Sequence, residues 1–460
     1  MKTRPAVRSL IAGFAALFVS TQNVLTQTPT PSISPGRCPL PGWAEGLVKY
    51  TDPATPFPTK DTQNSTPPGV DCIFHQWSWE AFVWATAFIE CPGVATKQPR
   101  FLCLPNLDGL NNPTLAKSGP KPLVLKPRTL KRRGAQQDPN FGFQQAGSQG
   151  VIIDQTGQAV WYSVHANETY FQFAQKYYGV AAFQKASATM PFPVGAAVFK
   201  ASWQIVPEGQ TPPGVFTTSA TVPMLINNPS GSGIMVDPSG KTRSVTVALV
   251  GLHVVGVTVN HPEFLWGTFE QIQNAPDLTQ PNGPVNPNNF TFYKGGTAAA
   301  DCNQQATESV SNPTTQTLAP ITNLYRQFAT GGESTLGTQE ITSINSQSQG
   351  AVKAFPNNPA EAVWSNYKLI GTVWTKPNTL VPGDGNMDTE AVGSVSLANA
   401  TLETYVQGAG QNCFLCHNTS AFAGANTAKD IALSHKLQDP FFTQSAKSAV
   451  PPKASPTPKK

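Results

Sequence analysis

Three residues near the end of the chain, Cys413, Cys416 and His417, have the types and spacing of a reactive site. In the run Cys413–Phe414–Leu415–Cys416–His417 the thiols stand three positions apart and the imidazole follows at once. On a helical turn, positions i, i+3 and i+4 share a face, so both sulfurs and the ring can address one planar group. C-x-x-C-H is the attachment pattern of a c-type haem: each thiol adds to a vinyl group of the porphyrin, and the imidazole binds its iron on the proximal side. The rival readings of C-x-x-C lack context. A redox dithiol belongs beside a βαβ unit, and nothing around residue 413 has that pattern. A zinc site needs a second ligand pair at knuckle spacing; the nearest other cysteine is Cys302, and the one downstream histidine, His435, lies too far on.

A sixth iron ligand sets the potential of an electron-transfer haem, and Met or a second His is the usual choice. His435, on a helix expected from Thr427 to Leu437, is one candidate. His253 is the other, in an apolar strand on the face expected to carry Val247, Leu249 and Val255; a neutral, hydrogen-bonded core histidine is its competing reading. Met387 in the run PGDGNMD offers a thioether. Asp384, Asn386 and Asp388 in that run echo a calcium loop but lack its Gly at the sixth position and Glu at the twelfth, so a turn is expected. His261, before Pro262 at a turn, is expected in solvent, and His75 and His165, set among aromatics, are expected to be structural.

Haem attachment of this kind needs export, and the start of the chain supplies a signal for it. Lys2, Arg4 and Arg8 precede the apolar run Leu10 to Val19, too short for the roughly 20 residues that span a bilayer. Residues 1–20 therefore read as a secretory signal peptide, with no membrane span expected in the mature chain. Removing those three charges takes the formal +5 to about +2, against the basic stripe that nucleic acid requires. The one basic stretch, Lys121, Lys126, Arg128, Lys131, Arg132 and Arg133, reads as a solvated loop, with docking to an acidic redox partner as its functional alternative. In an oxidising compartment the other five cysteines should give two disulfides and one thiol. Cys38 with Cys72 and Cys91 with Cys103 are the sequence-local pairings, leaving Cys302.

The motif arrives after more than 400 residues, so a large module must stand before it. Residues 21–36 form a Pro/Thr-rich linker, 37–390 a β-rich domain with an N-terminal helix, 391–445 the haem-attachment segment and 446–460 a disordered basic tail. Residues 74–90 read as a buried helix whose tryptophans belong to the core rather than to a sugar-stacking platform. A hairpin is expected over 150–164, then a helix from Glu168 to Tyr178 capped by Asn167 and closed by Gly179. Val198 to Val206 alternates, with Phe199, Ala201, Trp203 and Ile205 inward and Lys200, Ser202 and Gln204 outward. Ser244 to Thr258 is apolar on both faces, a central strand. Phe264 to Gln271 and Tyr367 to Thr375 are further strands, separated by a long polar stretch. Many short strands without βα alternation favour a mainly β fold, an antiparallel sandwich-like domain followed by a small helical haem segment.

The runs FKASW (199–203), VGLHVVGVTVNHPEFLWGTFEQIQNAP (250–276), LANATLETYVQ (397–407) and CFLCH (413–417) resemble those of bacterial secreted proteins labelled as cytochrome c family proteins, which carry one C-terminal attachment motif. The resemblance spans about residues 74–440. It implies a periplasmic or secreted haem protein with a large N-terminal β-rich domain, and carries Cys413, Cys416 and His417 over as haem ligands; it supplies no reaction. The chain has no G-x-S-x-G, H-E-x-x-H or Walker loop. The leading expectation is electron transfer through one covalent haem, docked to an unknown redox partner protein. A haem-dependent oxidoreductase, peroxidase- or oxygenase-like with an open sixth position, is the alternative. A glycan- or partner-binding module bearing a haem is the third reading.

Overall fold

In the computed structural model, residues 38, 42–61, 72–107, 110, 123–125, 150–278, 285–332, 335–355, 359–422, 424–425 and 427–448 are described. The expected signal peptide and linker (residues 1–36), the basic stretch at 121–133 except for residues 123–125, and the residues beyond Ser448 lie outside them. Helix α1 (Cys72–Thr86) carries eleven buried side chains over its whole circumference, as a helix with no polar stripe must. Trp77, Trp79 and Trp84 are all buried, which removes the exposed face a sugar-stacking platform would need.

An eight-stranded sheet dominates the fold. Its strands are β1 (Leu123–Val124), β2 (Trp161–Ala166), β3 (Ala197–Val206), β4 (Thr217–Pro223), β5 (Thr242–Gly256), β6 (Leu265–Gln271), β7 (Tyr367–Thr375) and β8 (Ala391–Gly393). They run in the order β8-β7-β6-β5-β3-β2, while β4 pairs the other end of β5 and holds β1 at its outer edge. All pairings are antiparallel except β1 with β4. The long apolar run is thus the central strand its composition implied.

Helices, not a second large sheet, cover the first face, so the fold is mixed α and β rather than the expected sandwich. The strand pattern says that a face is buried but not by what. Here α1 lays Phe74 on Trp374 of β7 and Phe82 on Phe269 of β6, with ring centroids 3.9 and 4.1 Å apart. Ser78 approaches closely enough to bond the Thr372 hydroxyl, because Gly267 beneath it has no side chain. Helix α3 (Thr335–Lys353) lies within the long polar stretch between the strand candidates. Its Asn345 receives the Leu369 N–H, donates to the Leu369 carbonyl and accepts from the Trp79 indole. Helix α2 (Glu168–Tyr177) starts at the expected cap, where Asn167 accepts from the Tyr170 N–H, and ends ahead of Gly179 at φ 112°.

The second face is covered too. Phe414, Ile431, Leu433, Leu437 and Phe441, all from the haem-motif segment, share a core with Val255, Phe264 and Trp266. Residues 391–393 of that segment are themselves edge strand β8, and Gly36 onward folds as one compact unit. This explains Ser202, expected outward but fully buried: its hydroxyl meets that of Thr401. A bulge at Val250 separates the Ser202–Gly251 and Trp203–Leu249 pairs. The extra residue reverses the alternation. Val247 and Leu249 therefore pack with the α1 core, while His253 and Val255 face the haem-motif segment, which corrects the expectation of one shared face.

Cys38 pairs with Cys72 and Cys91 with Cys103, and Cys302 is a buried thiol. Among the described residues no helix is long and apolar enough to cross a membrane.

Candidate functional site

Cys413–Cys416 form a single helical turn, α4. Asn412 caps it by accepting the Phe414 N–H at 3.0 Å, and the His417 N–H closes the turn onto the Cys413 carbonyl at 2.9 Å. The i, i+3, i+4 geometry of the motif is thus realised in the backbone. Phe414 is fully buried and anchors the turn edge-on to Trp266, while Leu415 and Cys416 are exposed. Neither Cys413 nor Cys416 is in a disulfide. Burial, then the neighbouring Glu403 and Cys416, push the Cys413 thiol well above its usual range, so it stays protonated.

His417 lies between two rings, Trp266 at 4.5 Å and His435 at 4.0 Å between centroids. Its Nδ1 is 2.9 Å from the Leu433 carbonyl. A carbonyl only accepts, so Nδ1 carries the hydrogen and Nε2 the lone pair. Burial, and then the adjacent His435, hold the ring well below the ordinary histidine range and so neutral. A neutral imidazole with one nitrogen tied to a backbone carbonyl and the other bearing a lone pair is the state an iron ligand needs. Two thiols on the same turn complete the donor set, so the residues present fit a covalent haem. Among the described residues, no group of three or more His, Cys, Asp or Glu is placed to hold a bare metal ion.

The sixth-ligand candidates are brought close but differently placed. His435 opens helix α5 (His435–Ser448), which begins eight residues later than expected because a 3-10 turn occupies Asp430–Leu433. Its ring stacks nearly parallel on His417 at 14°, and its Nε2 donates to the Cys416 carbonyl at 2.8 Å. To bind an iron through Nε2, His435 would have to release the Cys416 carbonyl. His253 has Nε2 on Glu403 Oε1 at 3.0 Å. Met387 is fully buried in the core that holds Phe414. Asp384 accepts the Asn386 N–H in a tight turn, as expected of the PGDGNMD run.

His75 and His165 are buried among aromatics, and burial lowers His75 to about 3. His261 departs from expectation: it is 1% exposed, with Nδ1 2.7 Å from Glu263 and Nε2 3.9 Å from Asp61. Its turn is folded back under Phe74, which local sequence could not show.

Glu403 and Lys200 were not singled out as site residues, although both lie in the runs that carry the resemblance. Lys200 stands directly across from His253 in the β3–β5 register. Burial works to raise the Glu403 carboxyl, but His253 and then Lys200 outweigh it and hold it below the usual carboxylate range. The chain matches no protein-family model, no curated protein and no solved structure.

Proposed function

We propose that this chain is an exported c-type haem protein that passes electrons through one covalent haem, with Cys413 and Cys416 as thioether attachment points and His417 as proximal iron ligand. The observation that carries the reading is the pinning of His417 Nδ1 on Leu433 within the same turn that presents both thiols. Bound, the haem would supply a one-electron couple. Leu433 orients the imidazole, Trp266 and Phe414 hold the turn against the sheet, and the exposed side at Leu415 and Cys416 leaves a face for a redox partner protein. Export to the periplasm or beyond belongs to the same reading, since it rests on residues 1–20 and the two disulfides.

One observation favours a second reading, a haem-dependent oxidoreductase with an open sixth position. The Nε2 atoms of both His435 and His253 are already bonded, to Cys416 and to Glu403. Optical spectra of the mature protein, oxidised and reduced, with carbon monoxide and with peroxide, separate the two. A six-coordinate, low-spin iron indifferent to both reagents is expected for electron transfer. Ready carbon monoxide binding or peroxide turnover would replace that reading with the enzyme.

A further inference from the structure

We infer that the cleft between α1 and residues 55–61 is a carbohydrate-binding site that takes a short chain of acidic sugars. It lies with the α1 core, on the other side of the sheet from the haem motif, and stands independently of the haem reading.

The walls of the cleft are held in place. Its volume is about 440 Å³, within the range of small-ligand sites. One wall is α1, where Ile73, Gln76 and Glu80 share a face at helical spacing. The opposite wall is the run from Thr55 to Asp61, with its backbone stiffened by Pro56 and Pro58. Two indoles of α1 pin that run. Trp84 Nε1 donates to the Thr55 carbonyl at 2.8 Å, and Trp77 Nε1 to the Pro58 carbonyl at 3.0 Å. The Thr59 carbonyl accepts the Val259 N–H at 3.1 Å, and the Asp61 carboxylate accepts from the Thr258 hydroxyl and the Asn260 amide. The third wall is the 3-10 helix Ala44–Thr51, with Trp43 at its start. A ligand would have little of this to order, which lowers the entropic cost of binding.

The two ends of the cleft differ in chemistry. Because Trp84 holds Thr55 and Trp77 holds Pro58, the run passes α1 in the reverse direction, and exposed Lys60 lies toward Ile73. Glu80 is about 10 Å farther along the helix at its rise of 1.5 Å per residue. Its Oε2 accepts the Tyr50 hydroxyl at 2.5 Å and its Oε1 the Trp43 indole N–H at 3.4 Å. Burial, and then Glu80, push the Tyr50 phenol well above its usual range, so Tyr50 stays the donor. Each carboxylate oxygen keeps a lone pair for a donor from a ligand. Trp43 is half-buried against the core and turns the rest of its surface to the cleft. Between the two ends, the Gln76 amide makes no hydrogen bond to a described residue.

A sugar acid matches all of these groups at once. The apolar face of a pyranose ring packs on the Trp43 indole, its hydroxyls donate to Glu80, and Gln76 both donates and accepts beside them. The carboxylate of the next sugar along the chain meets Lys60. Lys49, whose Nζ stands 4.6 Å from the Tyr50 ring centroid, adds a second cation at the Glu80 end. An extended peptide presents amides but no array of hydroxyls, and an amine would meet the repulsion of Lys49 and Lys60. The site binds and holds; no bond is made or broken there.

The test is isothermal titration calorimetry of the full mature chain with three probes: an oligogalacturonate, a neutral cello-oligosaccharide and an acidic peptide. Oligogalacturonate is expected to bind more tightly than the other two, and less tightly as salt is raised. Gln76→Ala and Lys60→Ala should each weaken it by about tenfold, the loss of one hydrogen bond or one charge contact. Trp43→Ala should abolish it. Because Trp43 also packs on the core, a variant that does not fold leaves the decision to the two exposed positions. No binding of oligogalacturonate would overturn the inference, as would binding that Gln76→Ala and Lys60→Ala leave unchanged. Tighter binding of the neutral chain or of the peptide would overturn it too. The outcome is the same whether or not the chain carries haem, so it leaves the haem reading untouched.

Discussion

At the scale of single residues, the site depends on which nitrogen of each histidine is committed. His417 gives Nδ1 to Leu433 and keeps Nε2 available, so His417→Ala should leave the thioethers in place but change the ligand field. A protein still stained for covalent haem, with a spectrum shifted from that of the wild type, is the expected result. Asp430, in the 3-10 turn beneath His417, shows the cost of a buried charge. It is 3% exposed, its Oδ1 has no hydrogen-bond partner among the described residues, and burial raises its carboxyl from 3.8 to about 6. A raised carboxyl pKa means that the folded state holds the proton better than the unfolded one. The associated stability is full below the unfolded value and is lost as pH rises through about 6. Asp430→Asn should therefore unfold at higher urea than the wild type near pH 8, by about 2–3 kcal/mol, and lose most of that advantage near pH 4. The motif residues were legible because their chemistry is local: five consecutive positions define the turn and the donors. Glu403, Lys200 and the burial of His261 were not, because each acquires its partner from a distant segment of chain.

At the scale of elements, the decisive feature is the bulge at Val250 in β5. Strict alternation placed His253 with Val247 and Leu249; one extra residue turned it to the opposite face, toward the motif. Strand positions and the Asn167 cap could be read from alternation and capping chemistry, but a bulge leaves no such mark in a strand that is apolar on both faces. Ser202 and Lys200 read as solvent-facing for a different reason: the segment that covers their face returns from far along the chain. Gly251, next to the bulge, tests how tightly it does so. A Cβ there would stand 2.6 Å from both the Ser202 and the Thr401 hydroxyls. Gly251→Ala should cost about 1–3 kcal/mol in urea unfolding, because the loop at 396–404 would have to lift from the strand. Helix α3 was hidden by its Asn, Gln, Ser and Thr content. It brings Ile341, Ile344 and Val352 into the α1 core, and its Asn345 satisfies both backbone groups of Leu369.

For the whole molecule, the sheet is a wall between two cores, one made with α1 and α3 and one with the segment that bears the haem motif. The segment that carries Cys413–His417 is thus built on the large domain rather than tethered beyond it, which gives the upstream residues a structural role in holding it. The two disulfides close spans of 34 and 12 residues around α1. Chain entropy assigns about 3 to 4 kcal/mol to loops of that size, so a reductant should lower the thermal midpoint measurably while leaving thioether-bound haem in place. The central claim is that Cys413 and Cys416 carry one haem covalently. The direct measurement is intact mass, with haem staining after denaturation, of the chain produced with export and haem-maturation machinery. The account predicts a mass increase of a single haem that survives denaturation and is abolished in a Cys413→Ser, Cys416→Ser double variant. An unmodified mass for the fully exported chain would contradict it.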